Sequence, residues 1–310
     1  MTGAGAAPGL LPVDKPRGPT SHDIVDRVRK ALKIKRVGHT GTLDPFASGL
    51  LLLLTGRATR LAEYLHLPRK AYQATARLGS STTTDDLEGE PLSEDSSEEW
   101  RAVDVGDVEA ALEGFQGRIL QTPPVYSAKK VAGEAAHRRA RRGEGPALDP
   151  VEVEVHEVAL EAFEPPLIRF SVVCSTGTYI RSLARDLGQA LGTAAHLVEL
   201  RRTSVGPFQV DEALAPEALS DPEAVRAALL PPERALDHLA TVRLGGEGSA
   251  RFVHGGAVGV ADEGVRLENL DGAADVPEGS FVRVMSSDGF LGVGQRRGGE
   301  IRPRKVVGGG

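Results

Sequence analysis

The longest apolar run in this chain is an uninterrupted series of five leucines at residues 50–54. A short continuous apolar run that follows a glycine-rich loop is typical of a strand buried inside a protein. The run is far shorter than the roughly 20 residues that a membrane-spanning helix needs. The first eleven residues have neither the basic start nor the apolar core of a signal peptide. We therefore expect a cytoplasmic protein that does not span a membrane.

The chain changes character near residue 235. Its 310 residues are too many for one average domain, and a hydrophobic fraction of 40% is ample for a packed core. Helix-like and strand-like segments alternate before this point, whereas short strand-like pieces separated by glycines follow it. We predict a first domain at residues 1–232 and a small all-β module at residues 240–308.

Hydrophobic spacing predicts individual helices and strands in the first domain. Thr20 can cap a helix with Asp23 three residues later, and apolar residues then recur at helical spacing at Ile24, Val25, Val28, Ala31 and Leu32. Residues 72–78 alternate between apolar and polar, as expected of a strand with one covered face. A second helix fits residues 180–191 and should end near Gly192. Residues 85–103 show no strong pattern, and we expect a surface excursion there, followed by a helix at 104–112.

The charged residues are segregated along the chain. A net charge of −6 would discourage a nucleic-acid-binding role if it were evenly spread. Residues 15–36, however, carry eight basic residues against two acids, residues 129–142 carry six against one, and residues 85–113 carry twelve acids and one base. A folded chain of this kind can present a basic face to phosphate groups. Charge alone fits two ordinary solvated helix faces equally well.

Metal and redox chemistry have little support in the sequence. Cys174 is the only cysteine, which excludes an intramolecular disulfide and a zinc site built from a cysteine cluster. It lies in the mostly apolar run 170–174, which predicts a buried structural thiol rather than a nucleophile. The sequence also contains no phosphate-binding or dinucleotide-binding glycine loop and no metal-spaced histidine cluster.

Residues 38–45, with the sequence GHTGTLDP, form the most informative segment. Its two glycines permit backbone conformations that other residues avoid and allow a ligand to approach closely. Pro45 fixes its own φ angle and biases Asp44 toward an extended conformation. Such a loop can hold one carboxylate at a defined point, although an Asp-Pro pair after glycines is more often a plain turn.

Five motifs in a fixed order resemble those of the TruB-type pseudouridine synthases. The GHTGTLDP loop resembles the catalytic motif of that family, and it follows a DKP element at residues 14–16. The other segments that resemble family motifs are 70–79 (KAYQATARLG), 123–128 (PPVYSA), 174–181 (CSTGTYIR) and 200–208 (LRRTSVGPF). The resemblance spans roughly residues 10–208. Residues 242–307 resemble a PUA RNA-binding module, most clearly at 254–256 and 289–294.

The resemblance implies a fold, a reaction and a substrate. The fold class is α+β, with a catalytic domain on a mixed or antiparallel sheet and a small C-terminal β-barrel-like PUA module. The reaction isomerises the T-loop uridine at position 55 of tRNA to pseudouridine, through base flipping and nucleophilic catalysis by an aspartate. Because substrate and product have the same composition, we expect no cofactor and no metal. We expect a monomer that binds the T-arm stem-loop of tRNA without a protein partner.

The resemblance also assigns the reacting carboxylate. Asp44 is implied to be the nucleophile, which attacks either C1′ of the ribose or C6 of the uracil. An ionised carboxylate in a closed pocket needs a compensating charge, and the family match offers Arg181. From the residues alone, Arg181 is a surface arginine on a helix. Asp86 is a further candidate for the site, whose plain interpretation is a solvated acid.

Five more residues match family positions that bind the substrate. Tyr72 matches the tyrosine that stacks on the target base, although its alternation also fits a core position. His39 matches the histidine near the extruded nucleotide. Tyr179 and Leu200 match positions that line the uracil pocket. Lys15 matches a lysine near the site, for which support of the loop is an equally good interpretation.

The basic segment at about residues 122–145 is our candidate for the part of the first domain that grips the RNA. The family commonly has an aromatic residue where Ala136 and His137 align. A dense cluster of arginines follows in this chain, at Arg138, Arg139, Arg141 and Arg142. RNA contacts there are therefore expected to be more electrostatic and to depend less on stacking.

Two other functions remain open from the sequence. A tRNA-binding or tRNA-folding protein could keep this scaffold without catalysis, although Asp44 in its complete motif argues against that. An RNA-uridine methyltransferase is the second alternative. It is disfavoured because a nucleotide-binding glycine loop is missing and because Cys174 has a strand-like setting.

Overall fold

The computed structural model describes residues 8–94, 99–126, 130–131, 134–135, 142, 148–268 and 276–308. The helices in these ranges are α1 (Ser21–Leu32), α2 (Val105–Glu113), α3 (Ile180–Ala190), α4 (Pro222–Ala227) and α5 (Gly246–Val253). Short 3₁₀ helices lie at Gly56–Tyr64, Glu99–Ala102, Val210–Glu212, Pro216–Ser220 and Pro232–Leu236. The strands are β1 (Gly9–Lys15), β2 (Val37–His39), β3 (Ser48–Thr55), β4 (Arg69–Leu78), β5 (Ser80–Thr82), β6 (Pro91–Glu94), β7 (Gly117–Gln121), β8 (Lys130–Val131), β9 (Glu134–Ala135), β10 (Val151–Glu164), β11 (Leu167–Ser175), β12 (Ala195–Val205), β13 (Phe208–Gln209), β14 (Ala240–Arg243), β15 (Val258–Gly259), β16 (Arg266–Glu268), β17 (Phe281–Ser286), β18 (Gly289–Arg297) and β19 (Glu300–Val306).

Most of these strands belong to two sheets. The first sheet has the order β1-β3-β12-β4-β11-β10-β7, with β2 also paired to β3 and β13 to β12. Its strand pairs are antiparallel except β12 with β3, which is parallel. The second sheet has the order β15-β19-β18-β17-β14-β16. The predicted α+β fold, with a mixed sheet followed by a small β module, is confirmed.

The leucine run forms the interior of β3 and is buried on both faces of the first sheet. Leu51 and Leu53 join a core that contains the apolar faces of α1 and α3. Leu50, Leu52 and Leu54 join a second cluster on the opposite face. Each of the five side chains is at most 1% exposed. Because both faces are covered, this strand lacks the apolar and polar alternation of a half-exposed strand.

The second sheet packs against that opposite face of β3. Val293 of β18 and Val307, which follows β19, belong to the same apolar cluster as Leu52. An ion pair at the margin joins Lys305 Nζ to Glu63 Oε1 at 2.8 Å. The two sheets therefore share part of their core. Their division into domains at residues 1–232 and 240–308 stays a prediction.

The two long helices of the first domain begin and end close to the predicted positions. Thr20 caps α1, where its hydroxyl accepts the Asp23 N–H at 3.1 Å and the Asp23 carboxylate accepts the Thr20 N–H at 2.8 Å. The five apolar residues predicted for its buried face are all at most 8% exposed. Helix α3 ends at Ala190, and Gly192 follows with a φ of +71°. Both helices pack against the core face of the first sheet.

The acidic stretch contains more structure than predicted. Residues 85–103 contain strand β6, which pairs with the preceding strand β5 as a short hairpin. A 3₁₀ turn at Glu99–Ala102 then leads toward α2. Backbone hydrogen bonds hold this hairpin together. Because such bonds do not depend on the type of side chain, the sequence shows no hydrophobic periodicity here. No helix in the described ranges is both long and apolar enough to cross a membrane. Of the segment 122–145, the structure describes 122–126, 130–131, 134–135 and 142. Ala136, His137, Arg138, Arg139 and Arg141 lie outside the described residues.

We predict that Gly49→Ala destabilises the junction between β3 and β12. Gly49 has a φ of +103°, and a Cβ there would lie 2.2 Å from the Arg202 carbonyl oxygen. Overlap and backbone strain together should lower the free energy of unfolding by about 2–4 kcal/mol, measured by chemical denaturation. Gly38→Ala is the matched control, because a Cβ at Gly38 would meet no atom within 4 Å. Equal stability of the two variants would contradict the close approach at Gly49.

Candidate active site

Residues 38–45 run from the end of β2 into the loop before β3, and this loop is fixed from several sides. Ser21 at the start of α1 accepts the Leu43 N–H at 2.9 Å and donates its hydroxyl to the Leu43 carbonyl at 3.0 Å. The Gly18 N–H donates to the Pro45 carbonyl at 2.8 Å, and the Ala47 N–H donates to the Asp44 carbonyl at 3.1 Å. These bonds hold the backbone on both sides of the Asp44 carboxylate.

Arg181, in the first turn of α3, joins Asp44 to a second carboxylate. Its Nε lies 3.1 Å from Asp44 Oδ2, and its Nη1 lies 3.2 Å from Asp86 Oδ2. The guanidinium also donates to the carbonyls of Thr84 and Tyr126, each at 2.9 Å. The Arg181 side chain is only 7% exposed, so the surface-arginine interpretation is wrong. The pairing with Asp44 that the resemblance implied is present.

Asp86 is buried rather than solvated. It is 3% exposed, and its Oδ1 accepts the Thr84 hydroxyl and the Glu88 N–H, the latter at 3.0 Å. Its other oxygen faces Arg181. Asp86 therefore fixes the guanidinium that in turn contacts Asp44. The interpretation of Asp86 as a solvated acid is wrong.

The electrostatic setting of Asp44 works in two directions. Burial raises the pKa of Asp44 above its usual value of 3.8, Arg181 opposes this rise, and the like charge of Asp86 adds to it. Because the pKa is raised, the carboxylate takes up a proton at a higher pH than an ordinary aspartate does. Chemistry that needs the ionised form is therefore lost as the pH falls through this raised pKa. The side chain is 34% exposed and can meet a ligand.

Five of the seven predicted site residues line one cavity of about 610 Å³: Asp44, Tyr72, Tyr179, Arg181 and Leu200. This volume is in the range of pockets that enclose small ligands. Tyr72 on β4 and Leu200 on β12 are each 7% exposed, so they belong both to the core and to the cavity wall. Burial raises the pKa of Tyr72, which is a neutral phenol at physiological pH.

The other two predicted site residues lie outside the wall of this cavity. His39, at the end of β2, is half-buried, and its Nδ1 has no hydrogen-bond partner among the described residues. Burial lowers the pKa of His39, which favours the neutral ring. That nitrogen is itself buried, so only the rest of the half-buried ring is accessible from outside.

Lys15 is fully buried, and all three of its donor hydrogens have acceptors. Its Nζ donates to the carbonyls of Pro16 at 2.9 Å, Pro19 at 2.8 Å and Pro45 at 3.3 Å. Burial lowers the pKa of Lys15 to about 8. This geometry favours the alternative interpretation of Lys15, support of the loop that carries Asp44, over direct contact with a substrate.

Sequence reasoning missed three residues of the site. Arg202 on β12 is 2% exposed and donates from Nε to the Leu50 carbonyl at 2.7 Å and from Nη2 to the Gly41 carbonyl at 3.2 Å. Two adjacent arginines within a strand were the available signal, because one of them must face the core.

Gln121 and Lys70 are the other two. The Gln121 side chain accepts the Tyr179 N–H at 2.8 Å and donates to the Tyr179 carbonyl at 3.1 Å. Its partner is 58 residues away in sequence, so no local pattern announces it. Lys70 lines the cavity and is two residues from Tyr72 on β4. The period of the strand would have placed these two side chains on one face.

The described ranges contain no group of three or more histidine, cysteine, aspartate or glutamate side chains arranged to hold a metal. Cys174 is fully buried, and burial raises the pKa of its thiol to about 11. The prediction of a structural thiol is confirmed.

Family models match most of this chain. Residues 29–180 match the N-terminal domain of the TruB family pseudouridylate synthases, and residues 181–237 match the C-terminal domain of tRNA pseudouridylate synthase B.

Curated relatives and solved structures are similar over nearly the whole chain. The tRNA pseudouridine synthase B of Burkholderia lata is 42% identical over 301 residues, which cover 96% of this chain and 90% of that protein. The protein of the same name from Thermobifida fusca is 47% identical over 258 residues, covering 80% and 86%. A solved Cbf5-Nop10-Gar1 complex contains a chain that is 28% identical with a TM-score of 0.70, covering 97% of this chain and 85% of that one. A box H/ACA ribonucleoprotein bound to a substrate RNA matches with a TM-score of 0.71 and 26% identity, with the same coverage.

We predict that Asp86→Ala destabilises the fold by removing one partner of a buried ion pair. The Asp86 side chain is 4% exposed, and Arg181 would keep its charge without that partner. Breaking such a pair costs about 3–5 kcal/mol, and the lower end is expected because Arg181 keeps Asp44 and two carbonyls. The measurement is chemical denaturation at neutral pH. The control is Glu152→Ala in the exposed pair with Arg118, which should cost less than about 1 kcal/mol. Equal losses would show that the buried pair does not stabilise α3.

Proposed function

The chain belongs to the TruB family of pseudouridylate synthases, and on that premise we propose that it converts a uridine of tRNA to pseudouridine with Asp44 as the nucleophile. One observation carries the assignment to Asp44. This carboxylate stands on a fixed loop, contacts the buried Arg181 at 3.1 Å, and faces a cavity that Tyr72 also lines. Asp86 also contacts Arg181 and lines the cavity, but its side chain is 4% exposed, whereas the Asp44 side chain is 34% exposed and can meet a substrate.

The reaction is an isomerisation within one nucleotide. The bond between N1 of uracil and C1′ of ribose breaks, the base turns, and a bond forms between C5 and C1′. C5 loses its proton, and N1 gains one. Every atom of the product comes from the substrate and solvent protons, so the reaction needs no donor and no redox partner. Attack by Asp44 at C1′ or at C6 divides the exchange into two easier steps through a covalent intermediate.

Arg181 and Asp86 support this nucleophile electrostatically. A carboxylate in a partly desolvated pocket is pushed toward its neutral form, which is a poor nucleophile. The guanidinium opposes that shift and also fixes the direction of the carboxylate by its contact with Oδ2. Asp86 contacts the guanidinium at 3.2 Å. Arg181 therefore keeps a carboxylate partner and does not have to move when Asp44 forms its covalent bond.

The target base must leave its stack before Asp44 can reach it. Flipping a nucleotide out of a folded RNA costs a few kcal/mol, which new contacts in the protein offset. The Tyr72 ring offers a stacking surface, and Tyr179 and Leu200 enclose the same cavity. The half-buried ring of His39 lies at the start of the loop that carries Asp44, where it can meet the RNA beside the flipped nucleotide.

The proposal extends to the form of the substrate and the state of the enzyme. The target is the T-loop uridine at position 55, presented by the T-arm stem-loop and bound by a monomer in the cytoplasm. RNA of this kind is recognised by shape and by unstacked bases rather than through its deep major groove. The basic segment at 122–145 and the module at 240–308 would add phosphate contacts outside the cavity.

We predict that Asp44→Ala abolishes turnover and leaves tRNA affinity nearly unchanged. The substitution removes the nucleophile and with it the covalent step. Conversion should therefore fall far below about a tenth of the wild-type rate. Phosphate contacts supply most of the binding energy, so the Kd should change by less than about threefold. Chemical mapping of pseudouridine in tRNA, with purified protein and no added cofactor, measures the first quantity. Filter binding measures the second. Conversion above a tenth of wild type would overturn the assignment of Asp44.

A comparison with Asp44→Asn separates the proposed enzyme from a non-catalytic tRNA-binding protein. The amide keeps the size of the side chain and its place beside Arg181, but it cannot form the covalent bond. We expect this variant to bind tRNA and to form no pseudouridine. If wild-type protein binds tRNA and also forms none, the binding-protein alternative replaces the proposed function.

We predict that an isolated T-arm stem-loop is converted by the full-length chain. The cavity of about 610 Å³ encloses a single nucleoside, so the chemistry needs only the local fold of the loop. An anticodon stem-loop that carries loop uridines is the matched control and should remain unmodified. Equal conversion of both would contradict T-arm specificity and leave the isomerisation itself intact.

A further inference from the structure

Four basic side chains surround the loop that carries Asp44, and three of them are fully engaged. Lys15 donates to three backbone carbonyls. Arg202 donates to the carbonyls of Leu50, Thr42 and Gly41. Arg181 bridges two carboxylates and two further carbonyls. These three cations therefore have little capacity left for a ligand.

Lys70 is the fourth cation, and it differs from the others. Within the described ranges, no hydrogen bond and no ion pair holds its ammonium group. The residue is only partly exposed, and it lines the same cavity as Asp44 and Tyr72. Its Nζ is not among the fully buried atoms without a partner in the described ranges, so solvent is its alternative to a ligand. Lys70 is thus available to whatever occupies the cavity.

Two relationships locate the Lys70 ammonium. On β4, Lys70 and Tyr72 are two residues apart, so their side chains leave the same face of the strand about 7 Å apart. A Cβ at Gly41 would lie 3.4 Å from Lys70 Nζ, which puts the ammonium against the catalytic loop three residues before Asp44. The charge therefore lies against the loop that carries Asp44, on the wall of the cavity that Tyr72 also lines.

We propose that Lys70 is a catalytic residue whose ammonium group stabilises the negative charge that develops on the uracil oxygens during the reaction. This inference rests on the proposed function. If Asp44 attacks C1′, the electron pair of the N1–C1′ bond stays with the base and spreads to O2 and O4. If Asp44 attacks C6, the electrons of the C5–C6 double bond move toward O4. Both routes put an anion on the base, so the role of Lys70 does not depend on which one operates.

The proton balance leaves Lys70 unchanged. The charge on the uracil oxygens returns to the ring when C5 bonds to C1′, C5 then loses its proton, and N1 takes one up. Lys70 remains an ammonium throughout and accepts no proton. Preorganised charge of this kind acts most strongly in a partly desolvated site. Removing one such group typically slows the chemical step by roughly 10²- to 10³-fold.

The neighbours of Lys70 set the pH range of this effect. Burial first, and then the charge of Arg202 on β12, lower the pKa of Lys70 to about 8 against the opposing effect of Cys174 on β11. The other ionisable groups that line the cavity are Asp44, Tyr72, Asp86, Glu88, Tyr126, Tyr179 and Arg181. The charged form of a lysine exists below its pKa. The assistance should be complete at lower pH and disappear as the pH rises through about 8.

The test measures single-turnover conversion of full-length tRNA at saturating enzyme as a function of pH. Lys70→Met removes the charge, and Lys70→Arg keeps it with a group that stays protonated across the range. Arg77→Met is the matched control, because Arg77 is an exposed cation on the opposite face of the same strand. The Kd of each variant for tRNA is measured at several salt concentrations alongside its rate. A melting temperature confirms that each variant is folded, and Lys70→Gln replaces Lys70→Met if that variant does not fold.

We expect the wild-type rate to fall on the alkaline side near pH 8, and we expect Lys70→Met to be slowed about 10²-fold and to lose that fall. Lys70→Arg should recover part of the rate and shift the alkaline fall to higher pH. Arg77→Met should match wild type.

Three results would overturn the proposal. Equal rates for Lys70→Met and Arg77→Met would remove Lys70 from the reaction. A loss confined to the Kd, with a shallower salt dependence, would make it a phosphate contact. A wild-type rate that rises through about pH 8 would make the neutral amine the active form. Absence of pseudouridine with wild-type enzyme would reject the proposed function along with this inference, whereas an active wild type confines any failure to Lys70.

Discussion

The fold is organised around a strand that is buried on both faces. The five leucines of β3 divide between two apolar clusters, and each buried leucine contributes roughly 1.5–3 kcal/mol by leaving water. One face packs against α1 and α3, and the other packs against the second sheet. The loop that carries Asp44 runs directly into this strand, and Arg202 joins the two by donating to the carbonyls of Leu50 and Gly41. The Asp44 carboxylate is thus held in a fixed position relative to a rigid, buried strand.

Around that strand, the site concentrates charge in a region that would otherwise exclude it. Buried charges are tolerated when their donors and acceptors are satisfied, and backbone carbonyls do much of this work for Lys15 and Arg202. Burial still disfavours the charged form of Asp44 and raises its pKa despite Arg181. An acid whose folded pKa is raised makes the native state less stable as the pH rises through that value. The ionised Asp44 carboxylate is therefore held at some cost to stability, which the surrounding core offsets.

The sequence predicts what depends on local pattern, and it misses what depends on distant packing. Thr20 and Asp23 announce the start of α1 because a capping box uses neighbours in the chain. Asp86 lies in an acidic stretch, and the sequence therefore suggests a solvated acid. In the structure it is buried against Arg181, which lies 95 residues later. Gln121 has no signal for the same reason. Resemblance to a family supplied the positions of Asp44 and Arg181, which composition and periodicity alone would have left as a turn and a surface residue.

Lys15 and Lys70 show why geometry, rather than titration, separates support from chemistry. Burial lowers the pKa of both lysines to about 8, so this property alone does not distinguish them. Lys15 spends its three donors on carbonyls, including that of Pro45, and its charge stiffens the loop. Lys70 has the same desolvated ammonium without any partner in the described part of the chain. Because an unsatisfied donor gains most from a new acceptor, the anionic state of a bound base benefits more from Lys70 than from any of the three saturated cations.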